Sequence, residues 1–223
     1  MIAAGAFDSI AADIEGQNAA KLLPDGTDPT VIAGYGAQLM LMAKAARSKN
    51  TAWIQFPLRG TESSYIFDIH PLSRGSVTID PSDPNGEPLV DYRSLSNPVD
   101  LRVMVELFKT VRAYFKRAGS IQTLSPVEIS PGANVTSDEE IAKYMTANFG
   151  PSAYHPVGTC AKMPKDIGGV VDEDLRVHGI RGLTVADASI MPLIVGATTQ
   201  STVYAIAEKV FILSAAVLTR MTY

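Results

Sequence analysis

Strand-like and helix-like segments follow one another in this chain without a regular alternation. Runs rich in aromatic and β-branched residues predict strands at 53–56, 65–69 and 75–79, with no helical pattern between them. The first long amphipathic helix follows at 98–118, where apolar residues recur every three or four positions, and Gly119 is expected to cap it. A parallel doubly wound sheet needs a helix between successive strands, so this order favours an α+β fold.

The remaining segments complete this interpretation. The other predicted elements are helices at 36–47, at 136–148 with Thr136 or Ser137 as cap, and from about residue 199, and strands at 153–159 and 182–187. No G-x-G-x-x-G motif follows any predicted strand. The sequence therefore predicts no self-contained dinucleotide-binding site.

The composition and the charge indicate which kinds of binding partner the chain is suited to. Apolar residues make up 46% of the 223 residues and charged residues 19%, which is ordinary for a globular protein. The net charge of −4 and the scattered basic residues argue against a nucleic-acid partner. No segment reaches the roughly 18 apolar residues needed to span a bilayer. Residues 1–12 lack the basic start of a signal peptide, and the compartment is left open.

The histidines and the single cysteine are the candidate reactive side chains. Because Cys160 is the one cysteine of the sequence, the chain cannot form an internal disulfide or a metal site with several thiolate ligands. Its small neighbours favour a packing role for the side chain over nucleophilic chemistry. No metal site is predicted. His70 precedes a proline and His178 lies in a predicted turn, so both suit plain hydrogen bonding. His155 is followed by Pro-Val-Gly-Thr, a run that lets the backbone come close to a flat ligand.

Four sequence blocks resemble, in order, those of the glucose–methanol–choline (GMC) oxidoreductases. The blocks are HPLSRGSVTIDPSDP (70–84), SAYHPVGTCAKMP (152–164), GGVVDEDLRVHGIRGLTVADASIMP (168–192) and QSTVYAIAEK (200–209). The chain is similar to the C-terminal half of a member of the fungal branch, with its aryl-alcohol oxidases, glucose oxidase and secondary-metabolite dehydrogenases. The resemblance implies a partial substrate domain or linker at 1–64, a GMC C-terminal domain at 65–215 and a tail at 216–223.

The resemblance also implies an architecture and a cofactor. The substrate domain is expected to hold an antiparallel sheet with helices behind it, together with the C-terminal pieces of a Rossmann-type FAD domain. The N-terminal half of that domain is absent from the sequence and is the implied partner. FAD is the implied cofactor and a small-molecule alcohol the implied substrate. The chain alone is expected to be inactive.

Site residues follow from the same resemblance. His155 matches the general base that takes the hydroxyl proton of the alcohol while a hydride passes to flavin N5. Asp187 and Ala188 match the position that contacts the cofactor, and Thr199 and Gln200 open a helix whose amides face the flavin. The alternatives are a strand-end turn for Asp187 and a helix cap for Thr199.

Thr198 departs from the pattern, because the family usually has a second histidine or an asparagine there. A threonine hydroxyl makes hydrogen bonds but cannot act as a base near neutral pH. Oxidation of a CH–OH group would then rest on His155 alone, at a cost on the order of a hundredfold. Two alternatives stay open: a non-redox cyclase or lyase that uses FAD structurally, and a non-catalytic remnant.

Overall fold

The computed structural model describes residues 5–57, 65–117 and 119–221. Over these residues the chain forms helices α1 (Ala6–Glu15), α2 (Pro29–Ala46), α3 (Pro98–Arg117), α4 (Gly119–Gln122), α5 (Asp138–Ala147) and α6 (Gln200–Met221), and strands β1 (Ile54–Gln55), β2 (Phe67–Asp68), β3 (Ser76–Thr78) and β4 (Leu89–Asp91). Three short 3-10 helices lie at Ala19–Lys21, Lys165–Ile167 and Ala188–Ile190. Parts of three predicted segments lie outside the described residues: residues 1–4 and 58–64 of the partial substrate domain or linker, residue 118 of the long helix, and residues 222–223 of the tail.

The strands form two small antiparallel sheets. Strand β1 pairs with β2, with Ile54 opposite Asp68, and β3 pairs with β4, with Val77 opposite Val90. The prediction of an α+β fold with antiparallel pairing is confirmed. The three early strands form where the β-branched and aromatic runs predicted them, although each is shorter. Strand β4 begins directly after the predicted loop at 81–88 and is not among the predicted strands.

Two predicted strands, at 153–159 and 182–187, are wrong. Tyr154 and Gly158 have φ angles of 63° and 92°, outside the β region, so the first segment turns instead of extending. The second segment starts at Gly182, whose φ is 77°, and makes one isolated bridge, from Thr184 to Arg176. The backbone of the second segment pairs with the loop at 175–177 and not with a neighbouring strand.

The predicted helices are confirmed, with corrections at their ends. Ser137 caps α5 and forms a capping box with Glu140. Helix α2 begins at Pro29, seven residues before the predicted start, because proline is favoured in the first turn and Asp28 accepts the amide of Thr30 at 2.8 Å. Gly119, expected to cap α3, is instead the first residue of α4.

The chain divides into two compact units. The first comprises Met1–Gln17, Met40–Arg74 and Tyr92–Pro151. Its helices α3 and α5 pack through a buried cluster of Val105, Phe108 and Ile141. Residue burial of this kind supplies the main favourable free energy of folding.

The second unit comprises Asn18–Leu39, Gly75–Asp91 and Ser152–Tyr223. Its buried cluster is made of Val171, Leu175 and Ile190, and Val185 and Ile206 pack against it. The cluster therefore joins the segment around 185–190 to helix α6, which continues through residues 216–221 of the predicted tail. The division of the sequence at 65 and 216 stays a prediction. Across the described part of the chain, no helix combines the length and apolar character that a membrane span requires.

Candidate active site

The imidazole of His155 is held by the hydroxyl group of Thr199. The Nδ1 atom of His155 and the Oγ1 atom of Thr199 are 2.7 Å apart, a short hydrogen bond between residues 44 positions apart. His155 is half-buried, and its backbone amide donates to the Oγ atom of Ser152 at 3.2 Å. Thr199 is only 6% exposed. Both the backbone and the ring of this histidine therefore have a defined partner.

Thr199 stands immediately before helix α6. Its carbonyl oxygen accepts the amide of Val203 at 3.0 Å, which is the first hydrogen bond of the helix. The first amides of an α-helix have no partner within the helix, and they form the positive end of its dipole. Gln200, the first residue of α6, is exposed. The hydrogen-bonded histidine is thus placed at a helix end that can stabilise negative charge.

The segment after His155 is fixed by backbone hydrogen bonds to the 3-10 helix at Ala188–Ile190. The amide of Cys160 donates to the carbonyl of Ser189 at 2.9 Å, and the amide of Lys162 donates to the carbonyl of Ile190 at 2.8 Å. Gly158 permits this approach, because a Cβ there would lie 3.2 Å from the carbonyl oxygen of Met191. Cys160 is half-buried in this loop.

Asp187 caps that 3-10 helix. Its Oδ1 atom accepts the amide of Ser189 at 2.8 Å, and the side chain is otherwise exposed. Ala188 is the first residue of the 3-10 helix and is half-buried. The structure therefore gives Asp187 a local turn-forming role. The contact of Asp187 and Ala188 with a cofactor stays a prediction.

Thr198 and Thr199 differ sharply in their surroundings. Thr198, expected from the resemblance to stand beside the base, is exposed. The hydrogen bond to His155 is made one residue later, by buried Thr199. Sequence reasoning assigned Thr199 only to the cofactor or to the helix cap. Its position just before a predicted helix was the one signal that its hydroxyl would be fixed in space.

The other two histidines have structural surroundings. The Nε2 atom of His178 lies 3.1 Å from the carbonyl oxygen of Met163, and because a carbonyl only accepts, this nitrogen carries the proton. His70 packs edge-on against Trp53 with ring centroids 5.3 Å apart. Burial lowers the pKa of His70. The contact of His178 suits the plain hydrogen bonding expected for it, whereas the contact of His70 with Trp53 is ring packing.

Comparison with known proteins decides the family. A model of the GMC oxidoreductase family matches residues 71–207. The chain belongs to the GMC oxidoreductases. An FAD-dependent oxidoreductase from Chaetomium thermophilum is 38% identical with a TM-score of 0.89, over 95% of this chain and 36% of that one. A fungal aryl-alcohol oxidase is 37% identical with a TM-score of 0.86, over 92% of this chain and 35% of that one.

A curated relative gives the same result. Dehydrogenase xptC of Emericella nidulans is 33% identical over 204 residues, which are 92% of this GMC chain and 33% of the relative. The chain thus spans about a third of the length of each of these relatives.

The described residues of this GMC chain fit FAD, the cofactor of the family. The N-terminal amides of a 22-residue helix suit the electron-rich pyrimidine edge of a flavin. The exposed carboxylate of Asp187 suits the hydroxyl groups of a ribityl chain. Both features belong to one unit, because the segment around 185–190 and helix α6 pack on the same buried cluster.

Proposed function

We propose that this chain supplies the catalytic base and part of the FAD site of an oxidoreductase that acts on the CH–OH group of an alcohol. The observation that carries the proposal is the hydrogen bond between His155 and Thr199 at the start of α6. It combines a titratable side chain with a helix end suited to an anionic ring edge. Similarity to an aryl-alcohol oxidase and to a dehydrogenase supports the same chemistry.

His155 acts as the general base in this proposal. A hydride leaves carbon readily only when the attached oxygen has lost its proton, so a base must stand within hydrogen-bonding reach of the hydroxyl. His155 takes this proton and holds it as an imidazolium while the alcohol becomes a carbonyl compound. FAD, when bound, supplies the acceptor for the hydride.

The start of α6 holds the cofactor. The backbone amides at Thr199 and Gln200 would hold the flavin, because the start of a helix favours a negatively charged ligand. Asp187 accepts hydrogen bonds from the cofactor's hydroxyl groups, and Ala188 keeps the backbone close to it. Asp187 and Gln200 are exposed, so both can reach a ligand at the surface of the second unit.

A further polypeptide segment completes the FAD site. The sequence holds no glycine-rich dinucleotide motif, and the chain spans about a third of the relatives it matches. Tyr204, Phe211 and Ile212 on α6 are well exposed, and exposed apolar groups of this size favour burial against another surface. The 223-residue chain alone is therefore expected not to oxidise alcohols.

The test uses an extended protein in which this chain is joined to a flavin-binding segment. Anaerobic mixing with aryl and aliphatic primary alcohols should bleach the visible flavin absorbance. His155→Asn should slow this reduction on the order of a hundredfold or more, because it removes the base. His178→Gln is the matched control, since His178 contacts only a structural carbonyl in its ring hydrogen bond. Reduction that is equally fast in the His155→Asn protein would contradict the assignment of the base.

A non-redox cyclase or lyase is the second candidate. The observation that favours it is Thr198, an exposed residue with no basic group at a position where the resemblance expects histidine or asparagine. A yellow extended protein that no alcohol reduces would favour this candidate over the oxidoreductase.

A further inference from the structure

We propose that Thr199 is a positioning residue that fixes the tautomer of His155, with the ring proton on Nδ1 and the lone pair left on Nε2. The inference rests on the proposed role of His155 as base. A neutral imidazole carries one proton, so the partner of one ring nitrogen determines which nitrogen can take another proton. Thr199 is the residue in hydrogen-bonding contact with the Nδ1 atom.

Two arrangements are compatible with the distance of 2.7 Å. When Nδ1–H donates to the Oγ1 atom of Thr199, the Nε2 atom is free to accept the proton of an alcohol. When the hydroxyl donates to Nδ1 instead, the single ring proton lies on Nε2, and neither nitrogen can act as a base. Only the first arrangement provides the base that the proposed reaction requires.

The position of the Thr199 hydroxyl is set by the helix that follows it. The carbonyl of Thr199 accepts the amide of Val203, and Ile206 of the same helix packs on the buried cluster of the second unit. A threonine held in this way presents its oxygen at one place, because its χ1 angle has few favourable values. Exposed Thr198 lacks this burial, although it has the same side chain.

His178 provides an internal standard for the opposite tautomer. Its Nε2 atom donates to the carbonyl of Met163 at 3.1 Å, so its proton lies on Nε2. The chain has three histidines, His70, His155 and His178, which makes every ring separately assignable. The two tautomers give distinct patterns in long-range ¹H–¹⁵N correlation spectra.

The experiment records these spectra on the ¹⁵N-histidine-labelled 223-residue chain without flavin. The expected result is an Nδ1–H pattern for His155, a cross-relaxation signal from that proton to the Thr199 side chain, and an Nε2–H pattern for His178. Thr199→Ser should keep the Nδ1–H pattern, and Thr199→Val should shift His155 towards Nε2–H while the His178 signals stay unchanged. The unchanged His178 signals report that the fold is intact.

Three results would overturn the inference: an Nε2–H pattern for His155 in the parent, no cross-relaxation to Thr199, or an Nδ1–H pattern that persists in Thr199→Val. The first two need no variant, so they decide the matter even if Thr199→Val fails to fold. In the extended, flavin-loaded protein, Thr199→Val should slow flavin reduction on the order of a hundredfold, and Thr199→Ser should restore most of the rate.

Failure of this inference is separate from failure of the proposed function. The tautomer is measured without flavin or alcohol. An Nδ1–H tautomer in a protein that no alcohol reduces would leave the role of Thr199 standing and remove the redox proposal. If His155 carries the proton on Nε2 without flavin, but the flavin-loaded protein is reduced rapidly and His155→Asn slows that reduction, the role of Thr199 is removed and the proposed function stands.

Discussion

The carboxylate of Asp100 accepts the hydroxyl of Ser73 at 2.5 Å, across 27 positions of sequence. The same carboxylate accepts the backbone amides of Leu72 at 2.7 Å and of Ser73 at 2.8 Å. Asp100 lies in the first turn of α3, where the helix dipole stabilises a negative charge, and it is 3% exposed. This contact fastens residues 72–73, near the start of the first family-like block, to helix α3 of the same unit.

Replacing Asp100 by alanine should strongly destabilise the first unit. The change removes the carboxylate that accepts from the buried amide of Leu72 and from the half-buried amide and hydroxyl of Ser73, at a cost of roughly 2–4 kcal/mol in the free energy of unfolding. Urea unfolding followed by the fluorescence of Trp53, the one tryptophan, measures this loss. Asp25→Ala, at an exposed turn, is the control and should change stability by less than about 0.5 kcal/mol. Similar losses in the two variants would contradict the prediction.

The stability of the same unit should fall as the pH rises towards neutrality. Burial raises the pKa of Asp68 to about 7, and the nearby charge of Asp100 adds to the rise, against the hydrogen bond from the amide of His70. Since this pKa lies above the ordinary value of 3.8, the folded state binds the proton more tightly than the unfolded state. The resulting stabilisation is complete at acid pH below the ordinary value and is lost as the pH rises through about 7.

Comparison with Asp68→Asn isolates this effect, because the variant has no titrating group at that position. Between about pH 5 and about pH 8 the free energy of unfolding of the parent should fall more than that of the variant. His70, whose pKa is lowered by burial, contributes a slope of the opposite sign, and it is present in both proteins. Parallel pH dependences, measured by urea unfolding, would show that Asp68 is not the group responsible.

Two glycines of α2 should respond in opposite ways to alanine. A Cβ on Gly34 would lie 2.1 Å from the carbonyl oxygen of Ile167, whereas a Cβ on Gly36 meets only the Cβ of Ala19 at 3.8 Å. Gly34→Ala should therefore destabilise the second unit by about 1–3 kcal/mol through overpacking. Gly36→Ala should stabilise it by up to about 1 kcal/mol, because alanine is the better helix former. Thermal unfolding followed by far-ultraviolet circular dichroism compares the pair, and a gain in stability for Gly34→Ala would refute the close contact.

Introducing a histidine at Thr198 should accelerate alcohol oxidation by the extended, flavin-loaded protein. A second positioned acid–base group commonly contributes on the order of a hundredfold, so flavin reduction and hydrogen peroxide formation should rise by about that factor. Thr146→His, on the exposed side of α5, is the control. If Thr198→His leaves both rates at the level of the parent, a missing partner group is not what limits the reaction, and the cyclase gains support.

The helices could be predicted from the sequence more reliably than the strands. The apolar repeat of α3 and the capping box at Ser137 are local signals, and the structure confirms both. The segment at 153–159 has the apolar character of a strand, but its backbone turns at Tyr154 and Gly158. The hydrogen-bonding partners of the loop that follows lie near residue 190, far away in sequence, and a local pattern cannot reveal them.

The sequence by itself determined the α+β class, the main helices and the family, because these depend on residue patterns and on motifs contiguous along the chain. Only the tertiary structure decided which hydroxyl meets His155. Thr198 and Thr199 are chemically identical neighbours, and either could serve on chemical grounds. The start of α6 and its packing bury one hydroxyl against the imidazole and leave the other in solvent. The hydrogen bond joins residues 44 positions apart, so it forms only when the chain has folded, and no local sequence pattern predicts it.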